Sequence, residues 1–559
     1  MKRYKVLLST LLAGAGIVTL LSLSDRKAPR PNIIVILADD LGYSDIGCYG
    51  GEVHTPNIDY LAHNGIRYTQ FYNTSRCCPT RASLLTGLYN QQAGIGRMTD
   101  AEDEPGYRGH LTDNTVTLAE VLQSAGYHTA MCGKWHVSNT NGQPTKQEQL
   151  DWLNHRKAGG PFSPIAQYPT HRGFEKFFGT IWGVVDFYDP FSLVSGDQPI
   201  REVPKDYYHT DAINDTAVAY IRGYAGSKQP FFLYVAHNAP HWPLHALPED
   251  IARYRQTYKA GWEAIRQARY RRMAEMGLID TTTTKLSARW KNDLEWENNP
   301  DSVWDAEAMA VHAAMTDRMD QGIGRIIAAL KETGQLDNTL ILFLSDNGAS
   351  PENCAAYGPG FDRPSQTRDG REIVYATRKQ ALPGPETVYA SIGTRWANVA
   401  NTPYQYWKAE SYEGGIHTPL IAFWPEGISV PKGGFSSWTG HVMDFMATFT
   451  ELAGARYPAV YKGRKITPTT GISLTSSFRD KPGGHELLFN EHFGARYARK
   501  GNWKLVSMSN DTTWRLYDLS VDKTEMRDMA GSQPGVVEEL DSLWRKWAYS
   551  HDVYPKPGN

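Results

Sequence analysis

The chain has 559 residues, with 58 Lys and Arg against 60 Asp and Glu, a net charge of −2. That length implies more than one structural unit, and so even a charge balance excludes electrostatic capture of nucleic acid or of an anionic membrane. A hydrophobic share of 41% and a charged share of 21%, with 50 Gly and 32 Pro, exclude a disordered chain, a coiled coil and a multispan membrane protein.

Residues 1–24 read as a secretory signal. Lys2, Arg3 and Lys5 precede an apolar run from Val6 to Leu21, and Ser22 and Ser24 supply small residues before Asp25. The run is shorter than the ~20 residues a spanning helix needs, so no integral membrane association is expected after signal cleavage. Pro31 to Ala38 is a short, β-branched apolar run that ends in Asp39-Asp40, the pattern of a strand buried on both faces. Next, Pro79 suits the first (N1) position of a helix, which sets Cys77 at or just before a helix N-terminus, where the dipole favours negative charge. Thr117 to Gly126 has helical spacing and a terminal glycine. Pro230 to Ala236 is a second buried strand, ending in the segment His237 to His241, and Asn338 to Leu344 is a third, ending in Ser345-Asp346-Asn347-Gly348. Three buried strands therefore deliver polar groups at their C-terminal ends, the ligand-binding edge of open α/β sheets. Ala308 to Leu330 reads as a long helix, 248–305 as a charged helical insertion and 349–405 as a functional loop region. Beyond a boundary near 475, short strands at 486–490, 496–499, 503–506 and 514–518 predict a small antiparallel sheet, and Val536 to Tyr549 a helix to cover it. The expected organisation is a signal at 1–24, an α/β catalytic unit at 25–475 and an antiparallel-sheet unit at 476–559.

Asp39, Asp40, Asp346 and Asn347 offer only oxygen from two strand ends, a donor set for Ca²⁺ or Mg²⁺ rather than a soft metal. The five cysteines are an odd count without a CxxC pair, so neither a disulfide framework nor structural zinc is expected. Cys48, Cys132 and Cys354 read as structural.

Cys77-x-Pro79-x-Arg81 followed by Leu84-Leu85-Thr86-Gly87 resembles the signature of the type I sulfatases. Asp39-Asp40, Gly133-Lys134-Trp135-His136, Ala239-Pro240-His241-Trp242-Pro243, Ser345-Asp346-Asn347-Gly348 and Lys408 before Tyr412-Glu413-Gly414-Gly415 match further motifs of that family in order. The resemblance is greatest to its arylsulfatase branch. It implies an alkaline phosphatase-like α/β sandwich, with a large mixed, mostly parallel sheet between helices and a small C-terminal antiparallel sheet. It implies that a maturation enzyme oxidises Cys77 to Cα-formylglycine, and that Asp39, Asp40, Asp346, Asn347 and the modified Cys77 hold Ca²⁺, with Mg²⁺ as the alternative. Asp346 would take the attacking hydroxyl's proton, Arg81 would stabilise the nucleophile, and Lys134 and Lys408 would neutralise sulfate. His241 would be the general acid and His136 the base of the release step.

The substrate expected from export and from the many aromatics is a sulfated small molecule or glycan, with Trp182, Asp186, Tyr188, Glu491 and His492 as candidate pocket residues beside Lys134, His241 and Lys408. The location expected is the bacterial periplasm or the medium. Two other readings remain open on sequence: a phosphatase or phosphonate monoester hydrolase of the same superfamily, and a non-catalytic glycan-binding relative.

Overall fold

The computed structural model describes residues 30–140, 145–153, 160–290, 294–359, 363–376 and 381–553. The expected signal at 1–24 lies outside the described residues.

Ten strands form the main sheet: β1 (Asn32–Ala38), β2 (Ile66–Tyr68), β3 (His128–Gly133), β4 (Lys176–Thr180), β5 (Leu193–Ser195), β6 (Gln198–Pro199), β7 (Phe231–Ala236), β8 (Thr339–Ser345), β9 (Leu420–Phe423) and β10 (Gly434–Ser436). Their order across the sheet is β10-β2-β9-β8-β1-β7-β3-β4-β5-β6. The centre is parallel: β1 pairs with β7 and β8, and β3 with β7 and β4. β9 runs against both β8 and β2, so the sheet is mixed.

The apolar run of β1 is explained by what lies on either side. Ile34 and Ile36 point into one core, and Ile33, Val35 and Leu37 into the other. A strand with a helical layer on each face has no polar side, so alternation is lost and a continuous apolar run remains. The first core is closed by α2 (His209–Gly223) and α4 (Ser302–Glu332), the second by α1 (Cys77–Thr86) and α5 (Asp444–Ala453).

The register decides where the chemistry sits. Ala38 is level with Ser345, and Leu37 with Ala236. Asp39, Asp346 and His237 therefore leave the sheet side by side.

One expectation needed revision. α4 begins at Ser302 rather than Ala308, because Trp304 and Ala306 already face the core. Within the charged insertion, helix α3 (Trp262–Glu275) turns Arg269 fully inward. Arg269 pairs with Asp45 at 2.7 Å and Glu52 at 2.6 Å, and His312 approaches the other Asp45 oxygen at 3.0 Å. Asp45 in turn accepts the Gly42 N–H at 2.8 Å, so the insertion braces the turn that follows Asp40.

The C-terminal part forms the predicted antiparallel sheet, from β11 (Leu487–His492), β12 (Ala495–Lys500), β13 (Trp503–Ser507) and β14 (Arg515–Asp518), covered by α6 (Pro534–Ser550). Leu488, Leu505, Leu516 and Trp544 share one apolar cluster with Tyr72, Tyr412 and Ile416 of the α/β part. Within the contact, Lys504 is fully buried and lies 2.7 Å from both Glu413 and Glu525.

Candidate active site

Backbone strain gathers at the C-terminal edge of the sheet. Asp40, Ser75, His136 and Ala409 adopt φ of 64, 62, 53 and 74°. Side-chain-bearing residues enter that region at a cost of order 1–3 kcal/mol each, which packing must sustain. Gly133 makes the turn out of β3 possible: at φ 103° it passes so close to Ala236 that a Cβ would lie 1.8 Å from its carbonyl oxygen.

Cys77 opens α1, all of whose residues are buried, with Arg76 extended at the N-cap. Pro79 is the third residue of α1, not the first as expected; the first four N–H groups of a helix have no partner within it, so proline is tolerated there too. One turn on, Arg81 donates from Nε and Nη2 to Asp346 Oδ2 at 3.1 and 2.8 Å, and from Nη1 to the Lys134 carbonyl at 2.9 Å. Lys134 Nζ reaches Asp39 Oδ2 at 2.5 Å. Lys408 Nζ lies 2.8 Å from Asp40 Oδ1 and 3.2 Å from His241 Nε2. Asn347 Nδ2 donates to Asp40 Oδ1 at 2.6 Å. His241 Nδ1 meets the Trp242 carbonyl at 2.5 Å. A carbonyl only accepts, so Nδ1 carries the proton and Nε2 turns a lone pair towards Lys408.

The electrostatics follow from dense burial. Burial opposes ionisation of Asp39, but the neighbouring cations, Lys134 foremost and Arg81, outweigh it and hold the carboxyl low. Asp346 goes the other way: burial and the neighbouring Asp39 push it well above the carboxylate range, against the pull of Arg81. A hydrogen bond with Cys78 is the largest influence on Cys77; burial opposes it, Lys134 and His136 reinforce it, and the thiol is held well below its ordinary value. Burial lowers His136 to about 4, leaving a neutral imidazole at pH 7.

The donor set fits a hard divalent cation. Asp39 Oδ1 and Asn347 Oδ1 are buried oxygens without a hydrogen-bond partner. Buried acceptors are rarely left so, and two carboxylates this close need positive charge between them. Ligand atoms of Asp39, Asp40 and His241 lie within 4.8 Å of one another.

Above this floor is a cavity of about 180 Å³, lined among others by Cys77, His136, His241, Lys408 and Trp182.

Residues 31–455 match the sulfatase family model, and 404–547 match the C-terminal model of N-sulphoglucosamine sulphohydrolase. The chain belongs to the sulfatase family. It is a sulfuric ester hydrolase with the alkaline phosphatase-like fold. An arylsulfatase of Klebsiella aerogenes is 34% identical over 455 residues, covering 80% of this chain and 92% of that protein. An uncharacterized sulfatase of Schizosaccharomyces pombe is 32% identical over 563 residues, covering 95% and 96%. A solved structure described as a complex with D-glucosamine-2-N,6-O-disulfate superposes with a TM-score of 0.60 at 20% identity, covering 95% of this chain and all (100%) of that one.

In this sulfatase the fold brings together Asp39, Asp40, Cys77, Arg81, Lys134, His136, His241, Asp346, Asn347 and Lys408, all buried. The carbohydrate-pocket candidates divide. Trp182 lines the cavity. Asp186 is engaged internally, accepting from the Tyr188 and Asp189 N–H groups, and Tyr188 donates to the Ala246 carbonyl at 2.8 Å. Glu491 accepts from the Gly494 N–H at 2.9 Å and the Tyr107 hydroxyl at 3.2 Å, closing the hairpin between β11 and β12. His492 is fully buried, with Nδ1 3.4 Å from the Gly96 carbonyl. These four do not line the cavity. Sequence reasoning missed Glu352 and gave Arg76 no role. Both line it, 2.9 Å apart. No spacing or motif marks Glu352 inside the long loop region; only its distance from Arg76 and Lys408 does.

Proposed function

We propose that the enzyme releases sulfate from sulfated carbohydrates, with Cys77 converted to Cα-formylglycine and with Ca²⁺, or Mg²⁺ in its place, held by Asp39, Asp40, Asp346, Asn347 and the modified Cys77. The observation that carries this reading is the convergence of Cys77, Arg81 and four oxygen-donor side chains, two with unsatisfied buried oxygens. The aldehyde hydrate and the cation together supply a nucleophilic hydroxyl of lowered pKa and a clamp on the sulfate oxygens.

The chain's own residues do the rest. Lys134 and Lys408 bring two ammonium groups to the floor of the cavity, where they offset the charge of a bound sulfate. Arg81 holds Asp346 in one orientation; with a divalent cation beside it offsetting burial and the Asp39 charge, the carboxylate would be ionised and able to receive a proton at a fixed place. Lys408 Nζ donates towards His241 Nε2 at 3.2 Å, which puts both groups where a proton can be delivered to the departing ester oxygen. His136, neutral at pH 7, is the base on the Cys77 side. The Trp182 ring at the cavity wall suits stacking against a sugar face. Relatives named N-acetylgalactosamine-6-sulfatase, such as the rat protein at 25% identity over 543 residues, support a sulfated hexosamine or galactose.

The reading extends to location. The basic and apolar start of the chain favours export to the bacterial periplasm or the medium, and among the described residues no helix is long and apolar enough to cross a membrane.

The test is a panel of defined sulfated saccharides assayed for sulfate release with natively matured protein, beside 4-nitrophenyl sulfate. Fast turnover of the aryl ester with no release from any saccharide would remove the carbohydrate assignment. An intact thiol at Cys77 in the mass spectrum of active protein would remove the formylglycine assignment.

A further inference from the structure

An anion-binding cavity has little use for a carboxylate, yet one stands in its wall. Glu352 Oε1 lies 2.9 Å from Arg76 Nη2. Its Oε2 accepts from Trp242 Nε1 at 2.8 Å and from the Ser350 hydroxyl at 3.1 Å, and lies 3.6 Å from Lys408 Nζ. Its side chain keeps 11% of its surface, and that of Arg76 20%; both border the cavity that holds Cys77 and His241. The Trp242 indole and the Ser350 hydroxyl donate to Glu352, and Arg76 and Lys408 flank it as counter-ions, so the group is held in place. What it adds to the cavity is one negative charge at a fixed position. Burial alone would raise its pKa, but Arg76 and Lys408 overcome that and keep it ionised.

We propose that Glu352 is a specificity-determining residue: paired with Arg76, it sets the net charge of the cavity so that singly charged sulfate esters are accepted and doubly charged phosphate esters are disfavoured. The proposal rests on the sulfatase reading of the same site. Its physical basis is Coulombic. A sulfate monoester carries one negative charge and a phosphate monoester nearly two above pH 7, because the second phosphate proton leaves near pH 6. In a desolvated cavity each further unit of charge interacts separately with the fixed groups. A carboxylate in the wall therefore repels the dianion about twice as strongly as the monoanion, whereas the Arg76 guanidinium attracts it about twice as strongly.

This gives the two partners opposite signatures, which a purely structural role does not. The experiment uses the matured enzyme at pH 8. It measures the KM for 4-nitrophenyl sulfate and the competitive Ki of 4-nitrophenyl phosphate against it. The readout is the ratio Ki/KM in wild type, Glu352→Gln, Glu352→Asp and Arg76→Gln. Glu352→Gln is expected to lower the ratio about tenfold or more, and Arg76→Gln to raise it by a similar factor. Glu352→Asp keeps the charge and should stay close to wild type in ratio even if its turnover falls. A ratio unchanged in both neutral variants, or moved in the same direction in both, overturns the proposal and leaves the sulfatase reading intact. Absence of phosphate inhibition in every variant at millimolar concentration also overturns it. If Glu352→Gln does not fold, the direction of the Arg76→Gln shift decides alone. A wild-type enzyme that hydrolyses no sulfate ester would instead remove the underlying reading.

Discussion

Arg81 directs Nε and Nη2 at a single oxygen of Asp346, at 3.1 and 2.8 Å, and neither side chain has any exposed surface. Removing one member of such a buried pair strands the other's charge, at a typical cost of about 3–5 kcal/mol. Arg81→Met is therefore expected to lower unfolding free energy by that order and to abolish sulfate release. Arg81→Lys should recover little, since one ammonium cannot reproduce the fork that also reaches the Lys134 carbonyl. Denaturant unfolding and sulfate release, measured on both variants, check this; a fully active lysine variant would contradict it.

The unsatisfied oxygens of Asp39 and Asn347 predict dependence on a divalent cation. Exhaustive chelation should lower turnover about a hundredfold or more, corresponding to several kcal/mol of transition-state stabilisation. Ca²⁺ should restore activity better than Mg²⁺, because the oxygen-rich, irregular donor set suits the larger ion. Elemental analysis of the active protein should find one bound ion, and Asn347→Ala should lose it.

Two buried groups predict opposite pH slopes of stability. Burial lowers His237 to about 3, and raises Asp186 to about 7. Unfolded histidine takes up its proton near 6.5 while native His237 does not, so its contribution is present above that pH and is lost as pH falls towards 3. The stability gap between wild type and His237→Gln should therefore shrink on acidification below 6.5, by up to about 1.4 kcal/mol per pH unit. Native Asp186 keeps its proton longer than the unfolded chain, so its contribution is lost as pH rises from about 4 towards 7. Asp186→Asn should gain on wild type over that interval. Urea unfolding at half-unit steps between pH 4.5 and 8 reads both slopes; parallel curves would refute them.

Lys504 is buried between two carboxylates, Glu413 and Glu525, each 2.7 Å away. Lys504→Met is expected to destabilise by about 3–5 kcal/mol. Glu413 lies in the motif that follows Lys408, so kcat for 4-nitrophenyl sulfate should fall in the folded fraction as well. A variant of wild-type kcat would show that the C-terminal sheet supports the fold alone.

Much of this was legible in the sequence for a physical reason. A strand covered on both faces must be apolar throughout, and β1, β7 and β8 announce themselves by that run and by the abrupt polar group at its end. The residues on the cavity floor lie in short local motifs, Cys77 to Arg81 above all. What was illegible was assembled across long distances. Arg269 looks like one more charge in a polar helix, and only the fold carries it to Asp45 and Glu52. Glu352 sits in a loop region without periodicity and gains meaning from Arg76 and Lys408. Asp186 and Tyr188 looked available for a sugar, but their hydrogen bonds are spent on neighbouring backbone.

The Lys504 cluster also bears on how such enzymes can be recombined. A hybrid joined near residue 475 would take Lys504 and Glu525 from one parent and Glu413 from the other, uncoupling a buried cation from half of its counter-charge. The inheritable module accordingly starts upstream of Tyr412, and the C-terminal family model, which begins at residue 404, already includes that segment. Crossovers placed before it should yield working chimaeras far more often than crossovers placed at the visible seam between the two sheets.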